Sequence, residues 1–269
     1  MATLSITQAW NETVAFMQRE SRLVLPIAFL LISLPGAALQ YGMPTVEPGA
    51  PPDLAAWMRD IRTVLLFLPA VAILSLIGTI AINYLAITPG RTVAEALQVG
   101  ARRFISLFLA WLLLALVAAV ACLPLFLLLK GQAFAYGQAL GGLFLLALLI
   151  YFLLLLAASV RLMLSTPVCA AESVGPIGII MRSWELTRGH FWKLLGFALL
   201  FWLAAFVAIL AVSAIIGIVI VLIAGPPLPG SASAFILLLL SAVLQAIVTS
   251  LFATMIARIY AQLAAPARG

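Results

Sequence analysis

The sequence predicts an all-α, polytopic membrane protein: six transmembrane helices arranged as three hairpins, each preceded by an amphipathic cytoplasmic helix. Three observations predict it. Of 269 residues, 66% are hydrophobic and 8% charged, whereas about a quarter of the residues in a soluble domain are charged. Six apolar blocks, at 24–41, 64–87, 104–129, 138–160, 194–224 and 234–257, approach or exceed the roughly 20 residues a helix needs to cross about 30 Å of hydrocarbon. An amphipathic stretch followed by two such blocks recurs three times, about 85 residues apart.

These blocks are continuous runs of Leu, Ala and Ile, unlike the short alternating segments of a transmembrane barrel. The expectation is one integral membrane domain over 1–269, with candidate repeats at 5–88, 92–165 and 175–262. Residues 1–10 lack the basic region of a cleaved signal peptide, so the first span is expected to remain in the mature protein. The fifth block is longer than one crossing requires and can tilt, project from the bilayer, or break near Gly217.

Each repeat opens on a helix-start signal. Ser5 to Gln8 and Thr92 to Glu95 have capping-box form, and Gly175-Pro176 puts proline in a first turn, where it is tolerated. Apolar stripes follow: Ile6, Trp10, Val14 and Met17; then Val93, Ala96, Leu97 and Phe104; then Ile177, Ile180, Met181 and Trp184. In the third stretch Arg182 and Glu185 are spaced to pair at i, i+3. Such helices either lie in the membrane interface or connect spans while packed on the bundle.

Eleven of the 14 Lys and Arg residues fall in the N-terminal segment, after spans two and four, or at the C-terminal end. Only Arg59, Arg62 and Lys130 lie on the other side, so the positive-inside rule puts both termini in the cytoplasm. The net charge of +6 is thereby a topology signal, and nucleic-acid binding is not expected. The connections on the far side are a Pro-rich stretch at 43–62, with a short helix expected from Asp53 that carries Trp57, and two short links near Lys130 and Gly225. None is long enough to form an external domain. Cys122 and Cys169 have no disulfide framework or metal-ligand spacing.

Polar residues within apolar blocks need partners or a cavity. Span six carries two rows, Ser241, Gln245 and Thr249, and Ser250, Thr254 and Arg258; both are expected to face the bundle interior, with Asn83 of span two joining them. Arg161 and Glu172 flank Pro167, and an ion pair of Glu172 with Arg161 or Arg258 would lock span four to the third amphipathic helix. The second spans also echo one another at their ends, in Thr79, Asn83 and Tyr84, in Ser159 and Arg161, and in Thr254, Arg258 and Tyr260. A pseudo-threefold or ring-like arrangement is the expectation.

Enzyme chemistry finds little footing. The single histidine, His190, sits at the start of span five, and the sequence contains no HExxH, no GxSxG, no paired intramembrane carboxylates and no phosphate-cradling glycine loop. No catalytic residue, metal or cofactor is expected. Arg182, Trp184, Arg188, His190, Trp192 and Lys193 form a candidate lipid- or partner-facing surface.

The stretch from Arg161 through Pro167 to Glu172, followed by Arg182-Ser183-Trp184-Glu185-Leu186-Thr187-Arg188-Gly189-His190-Phe191-Trp192-Lys193, resembles the membrane-domain family associated with glycerophosphoryl diester phosphodiesterases. That family similarly has an Arg near a span end, a Pro, an acidic residue and a Trp-containing segment that enters the next span. Members fused to a soluble catalytic domain give the family its name. The resemblance therefore implies a stand-alone membrane unit that does not itself cleave glycerophosphodiesters and that has an envelope or lipid-linked role. The resulting expectation is a non-enzymatic bacterial inner-membrane protein that binds membrane lipids or a protein partner. The alternative is a transporter or channel for an apolar or lipid-like substrate.

Overall fold

A computed structural model of the protein describes residues 4–41, 54–134, 139–228 and 230–264. The described residues form helices and contain no strand: α1 (Ile6–Ile27), a π-helical segment (Ala28–Ser33), α2 (Leu34–Tyr41), α3 (Leu54–Ile87), α4 (Val93–Phe134), α5 (Ala139–Arg161), α6 (Ser165–Ala171), α7 (Pro176–Thr187), α8 (Phe191–Ala224) and α9 (Ala232–Ala264). Six helical stretches are long and apolar enough to cross a membrane. The chain is a multi-pass membrane protein.

The amphipathic openings of the first two candidate repeats are not separate helices. α1 continues through the π-helical segment into α2, and α4 runs unbroken for 42 residues, about 63 Å at 1.5 Å per residue. Ser5 Oγ accepts from the Gln8 amide at 3.3 Å, but the Gln8 side chain turns forward to Glu12, so only half of the capping box forms. Thr92 likewise caps the Glu95 amide, while Glu95 pairs with Arg91.

Only the third opening is a helix of its own. α7 starts with Pro176 in its first turn and stops where Gly189 takes φ +85°, a conformation that strains any residue with a Cβ. α8 then runs its full 34 residues, so of the alternatives for the long fifth block a break near Gly217 does not occur. Residues 42–53 and 135–138 of the far-side connections, and the side chains of Trp57, Arg59 and Lys130, lie outside the described residues. α3 begins at Leu54 as one helix, so the short separate helix expected from Asp53 is absorbed into it.

The π-helical segment has a sequence cause. Pro26 and Pro35 bracket it, and each removes a backbone donor and crowds the preceding turn. Widening by one residue per turn relieves that conflict, and the Leu34 amide then bonds to Phe29 O, five residues back. Gly78 of α3 packs against the wide turn; a Cβ there would lie 3.0 Å from side-chain atoms of Leu31 and Ile32.

Packing concentrates at the end where α1, α4 and α8 begin and α3, α5 and α9 finish, referred to below as the root. One core gathers Leu4, Ile80, Leu107, Leu164, Val168, Ile179, Leu194 and Ile259; a second joins Phe16, Val24, Ala81, Leu85, Ala253 and Ala257. Away from the root the helices present broad apolar surface, including Leu65, Leu66, Leu116, Leu154, Leu203 and Ile215. None of the most apolar stretch of α8 is buried. Such a surface is untenable in water and ordinary in hydrocarbon. Each chain-consecutive pair of long helices packs together, α3 on the segment before it, α5 on α4, and α9 on α8, and α3 also packs extensively on α4.

Candidate functional site

The short helix α6 positions the site. After α5 ends at Arg161, a turn leads into Ser165-Thr166-Pro167-Val168-Cys169-Ala170-Ala171, of which all but Ala171 is buried. Proline at its third residue lacks an amide where the first turn needs no donor. α6 packs on α3, α4, α7 and α9, and its last carbonyls have no continuing helix to receive them. Arg103 of α4 supplies the donor: one guanidinium nitrogen lies 2.9 Å from Cys169 O, 2.9 Å from Ala170 O and 3.2 Å from Glu172 O. A cation at a helix C-terminus also meets the negative end of the backbone dipole.

Glu172 leaves α6 in extended conformation and directs its carboxylate to two helices. Oε1 accepts from Arg182 Nε of α7 at 3.2 Å and from the Tyr260 hydroxyl of α9 at 2.8 Å. Arg182 also reaches Glu185 at 3.5 Å, as the i, i+3 spacing predicted. The hydrogen bond that Arg182 donates to Glu172 is the main cause that raises its guanidinium above its ordinary value. The ion pair was expected with Arg161 or Arg258; it forms with Arg182 instead, and the other two guanidiniums lie against aromatic rings.

Arg161 and Arg258 are held by aromatic rings. The Arg161 guanidinium centre lies 5.2 Å from the Trp184 ring and 5.5 Å from that of Phe191, and Arg258 lies 5.4 Å from the Phe16 ring. Arg161 Nη1 and Arg258 Nε are buried without a hydrogen-bond partner. The Arg161 carbonyl accepts from Ser183 Oγ at 2.8 Å and Thr187 Oγ1 at 3.3 Å, fastening α7 to the end of α5.

Residues 4–263 match the family described as a domain of unknown function (DUF7847). The chain belongs to that family. No curated protein and no solved structure matches it. The family description carries no activity, and the resemblance to the glycerophosphoryl diester phosphodiesterase membrane-domain family stands on its own residues alone.

The two polar rows of α9 have different fates. Ser250 and Thr254 are fully buried and Arg258 is half-buried, with Thr254 Oγ1 4.0 Å from Met17 Sδ. Ser241 and Gln245 are exposed and Thr249 only half-buried, so this row does not join the packed interior. Asn83 is fully buried; its Nδ2 donates to Thr79 O at 2.8 Å and its Oδ1 has no partner.

The amphipathic faces need a similar correction. α1 buries Ala9, Thr13 and Phe16 and leaves Trp10 exposed. α7 buries Ile179, Ser183 and Thr187, while Ile177, Met181 and Trp184 face outward. Its hydroxyl stripe is committed to the Arg161 carbonyl, which leaves the apolar stripe free for the surroundings. Trp192 is 79% exposed, and Arg188 and Lys193 are exposed beside it. Arg103 and Tyr260 were missed as site residues. Their roles depend on long-range register; the sequence signals were the place of Tyr260 in the echo at the span ends and that of Arg103 beside Arg102.

Proposed function

We propose that this chain is a non-enzymatic, multi-pass protein of the bacterial inner membrane that binds membrane lipid at a basic cytoplasmic root. Both termini lie in the cytoplasm, and the six spans form three hairpins rooted by the amphipathic segments at the starts of α1 and α4 and by α7. The observation that carries this reading is the outward face of α7 and the start of α8. Ile177, Met181, Trp184 and Trp192 present apolar and indole surface beside the exposed cations Arg188 and Lys193. That combination suits an interfacial helix whose apolar face enters the acyl boundary while its charges meet anionic headgroups. The resemblance to the glycerophosphoryl diester phosphodiesterase membrane-domain family supports an envelope or lipid-linked role.

Mass spectrometry of lipids copurified with the chain tests this reading. Enrichment of anionic phospholipid over the bulk membrane is expected; no enrichment of any lipid, with a stoichiometric protein partner in its place, would overturn it. Cysteine-accessibility labelling checks the orientation, with positions 130 and 188 expected on opposite sides.

A second reading, transport of an apolar or lipid-like substrate, is favoured by one observation. Gln245 lies at the centre of the sixth apolar block and is exposed. An amide at that depth calls for a partner or a cavity. Reconstituted vesicles distinguish the two readings: lipid binding without protein-dependent movement of a labelled lipid between leaflets favours the first.

A further inference from the structure

At the junction of α5, α7 and α8, two side-chain nitrogens lack a protein partner, Arg161 Nη1 and His190 Nδ1, both shielded from solvent. The chain wraps Arg161 closely there: Thr187 bonds its carbonyl at 3.3 Å, the Phe191 ring lies 5.5 Å from its guanidinium, and His190 precedes Phe191 in the chain. The nearby acceptors make their hydrogen bonds and ion pairs with other groups. Glu172 serves Arg182 and Tyr260, Glu185 serves Arg182, and the Arg161 carbonyl serves Ser183 and Thr187.

An unpaired donor in a shielded site is costly. Trp184 and Phe191 cover the guanidinium through their rings, and such stacking leaves in-plane N–H edges available, the edges with which arginine grips a planar or tetrahedral oxyanion. The His190 side chain does not cap α8, and the amide that bonds to His190 O is that of Leu194. The first-turn amides and the positive dipole end of a 34-residue helix therefore border the same place. Exposed Arg188 and Lys193 add positive potential.

We propose that Arg161, His190 and the first turn of α8 bind the phosphodiester of an anionic membrane lipid, its acyl chains lying along the exposed face of α8 at Leu199, Leu200 and Leu203. The source of the phosphate follows from the surroundings. Trp192 at 79% exposure is suited to the headgroup level of a bilayer, and the bare apolar flank of α8 offers a lipid tail a surface that a free anion cannot use. This inference rests on the lipid-binding reading above and assigns it a site and a chemical group.

The test uses the full chain, delipidated in a neutral detergent and titrated separately with phosphatidylglycerol, phosphatidylcholine and inorganic phosphate. Bound lipid is counted by native mass spectrometry, and the ligand-induced rise in melting temperature is recorded in parallel. One phosphatidylglycerol per chain is expected to bind at least about tenfold more tightly than phosphatidylcholine. Arg161→Lys keeps the charge and loses the fork, and His190→Ala removes an unpartnered nitrogen without breaking a protein hydrogen bond. Each is expected to weaken phosphatidylglycerol about tenfold, as loss of a charge-assisted contact does. Exposed Arg22→Ala, acting only through the general field, is expected to weaken it by no more than about fivefold.

If Arg161→Lys folds poorly, His190→Ala carries the test. Wild-type lipid retention left unchanged by both site variants would overturn the assigned site while the broader lipid reading stands. Failure of the wild type to bind any phospholipid would overturn both. A melting rise produced by inorganic phosphate alone, equal to that from the lipid, would overturn the lipid as the source.

Discussion

The hydroxyl of Tyr260 donates a 2.8 Å hydrogen bond to Oε1 of Glu172, joining the end of α9 to a residue 88 positions earlier in the chain. The same carboxylate oxygen receives Arg182 from α7, and the Glu172 carbonyl receives Arg103 from α4. Four segments therefore meet at one residue. Because Glu172 and Arg182 keep 28% and 40% side-chain exposure, the ion pair is screened, and the hydrogen bond to Tyr260 provides the better shielded half of the junction.

Replacing Glu172 with Gln keeps an acceptor for Tyr260 and removes the charge, so a loss of about 1 kcal/mol is expected. Glu172→Ala removes both contacts and is expected to cost about 2 kcal/mol. Tyr260→Phe is expected to be non-additive with Glu172→Ala, since the two changes delete one shared bond. Unfolding in detergent, followed by tryptophan fluorescence, measures all three. A Glu172→Ala protein as stable as wild type would refute the junction.

Helix contact between α3 and α4 depends on a missing side chain. A Cβ at Gly100 would lie 2.7 Å from the backbone oxygen of Ile77, and backbone cannot move aside as a rotamer can. Gly100→Ala is expected to destabilise by about 1–3 kcal/mol. Gly36→Ala, in open space within α2, is expected to be neutral or stabilising by up to about 1 kcal/mol. Equal effects at the two positions would contradict the close approach.

The stop between α7 and α8 rests on Gly189 at φ +85°. Alanine there is expected to cost about 1–2 kcal/mol from left-handed strain, although no atom obstructs its Cβ. Faster hydrogen exchange over 176–187, with the exchange of α9 unchanged, would mark the effect as local to α7. Uniform loss of protection would argue against that view.

Trp192 makes little of the fold and faces outward. Trp192→Ala is expected to shift stability by less than about 0.5 kcal/mol. A variant retaining Trp192 as its single tryptophan is expected to be strongly quenched by lipids brominated near the headgroup and weakly by those brominated at the chain ends. The reverse depth profile would remove α7 and the start of α8 from the interface.

Gln245→Leu supplies a contrast within span six. With its side chain exposed, the substitution is expected to leave detergent stability within about 0.5 kcal/mol of wild type. A loss above about 1 kcal/mol would mean that the amide has a partner within the bundle after all.

A further relation ties the root together. Arg161 and Arg258 end the second spans of the second and third candidate repeats. Each guanidinium lies over an aromatic ring of the next opening helix, Trp184 for Arg161 and Phe16 for Arg258. The last of these contacts returns the chain to its first helix, where the Ser5 amide also donates to Gln262 Oε1 at 3.1 Å. α3 meets α4 through Gly100 and the carbonyl of Ile77.

The spans were legible because crossing hydrocarbon constrains composition along a continuous stretch, and a run of about 20 apolar residues is hard to read as anything else. Pro176 and the Ser5 and Thr92 caps were legible because they act within one turn. Which face of a helix is buried was read less well. Trp10 and Trp184 are as apolar as any core residue, and in a membrane an apolar side chain is equally at home against lipid, so periodicity alone cannot say which stripe packs.

Local chemistry thus determined by itself that the chain is helical, that six stretches suit a bilayer, and where most helices start. Only the tertiary structure decided that Glu172 takes Arg182 and Tyr260, that Arg103 closes α6, and that Arg161 rests on rings with a nitrogen unpartnered. Those partners come from helices dozens of residues apart. Their meeting depends on the register and rotation of packed helices, which are set by the fit of small residues such as Gly78 and Gly100 across an interface that no single segment encodes.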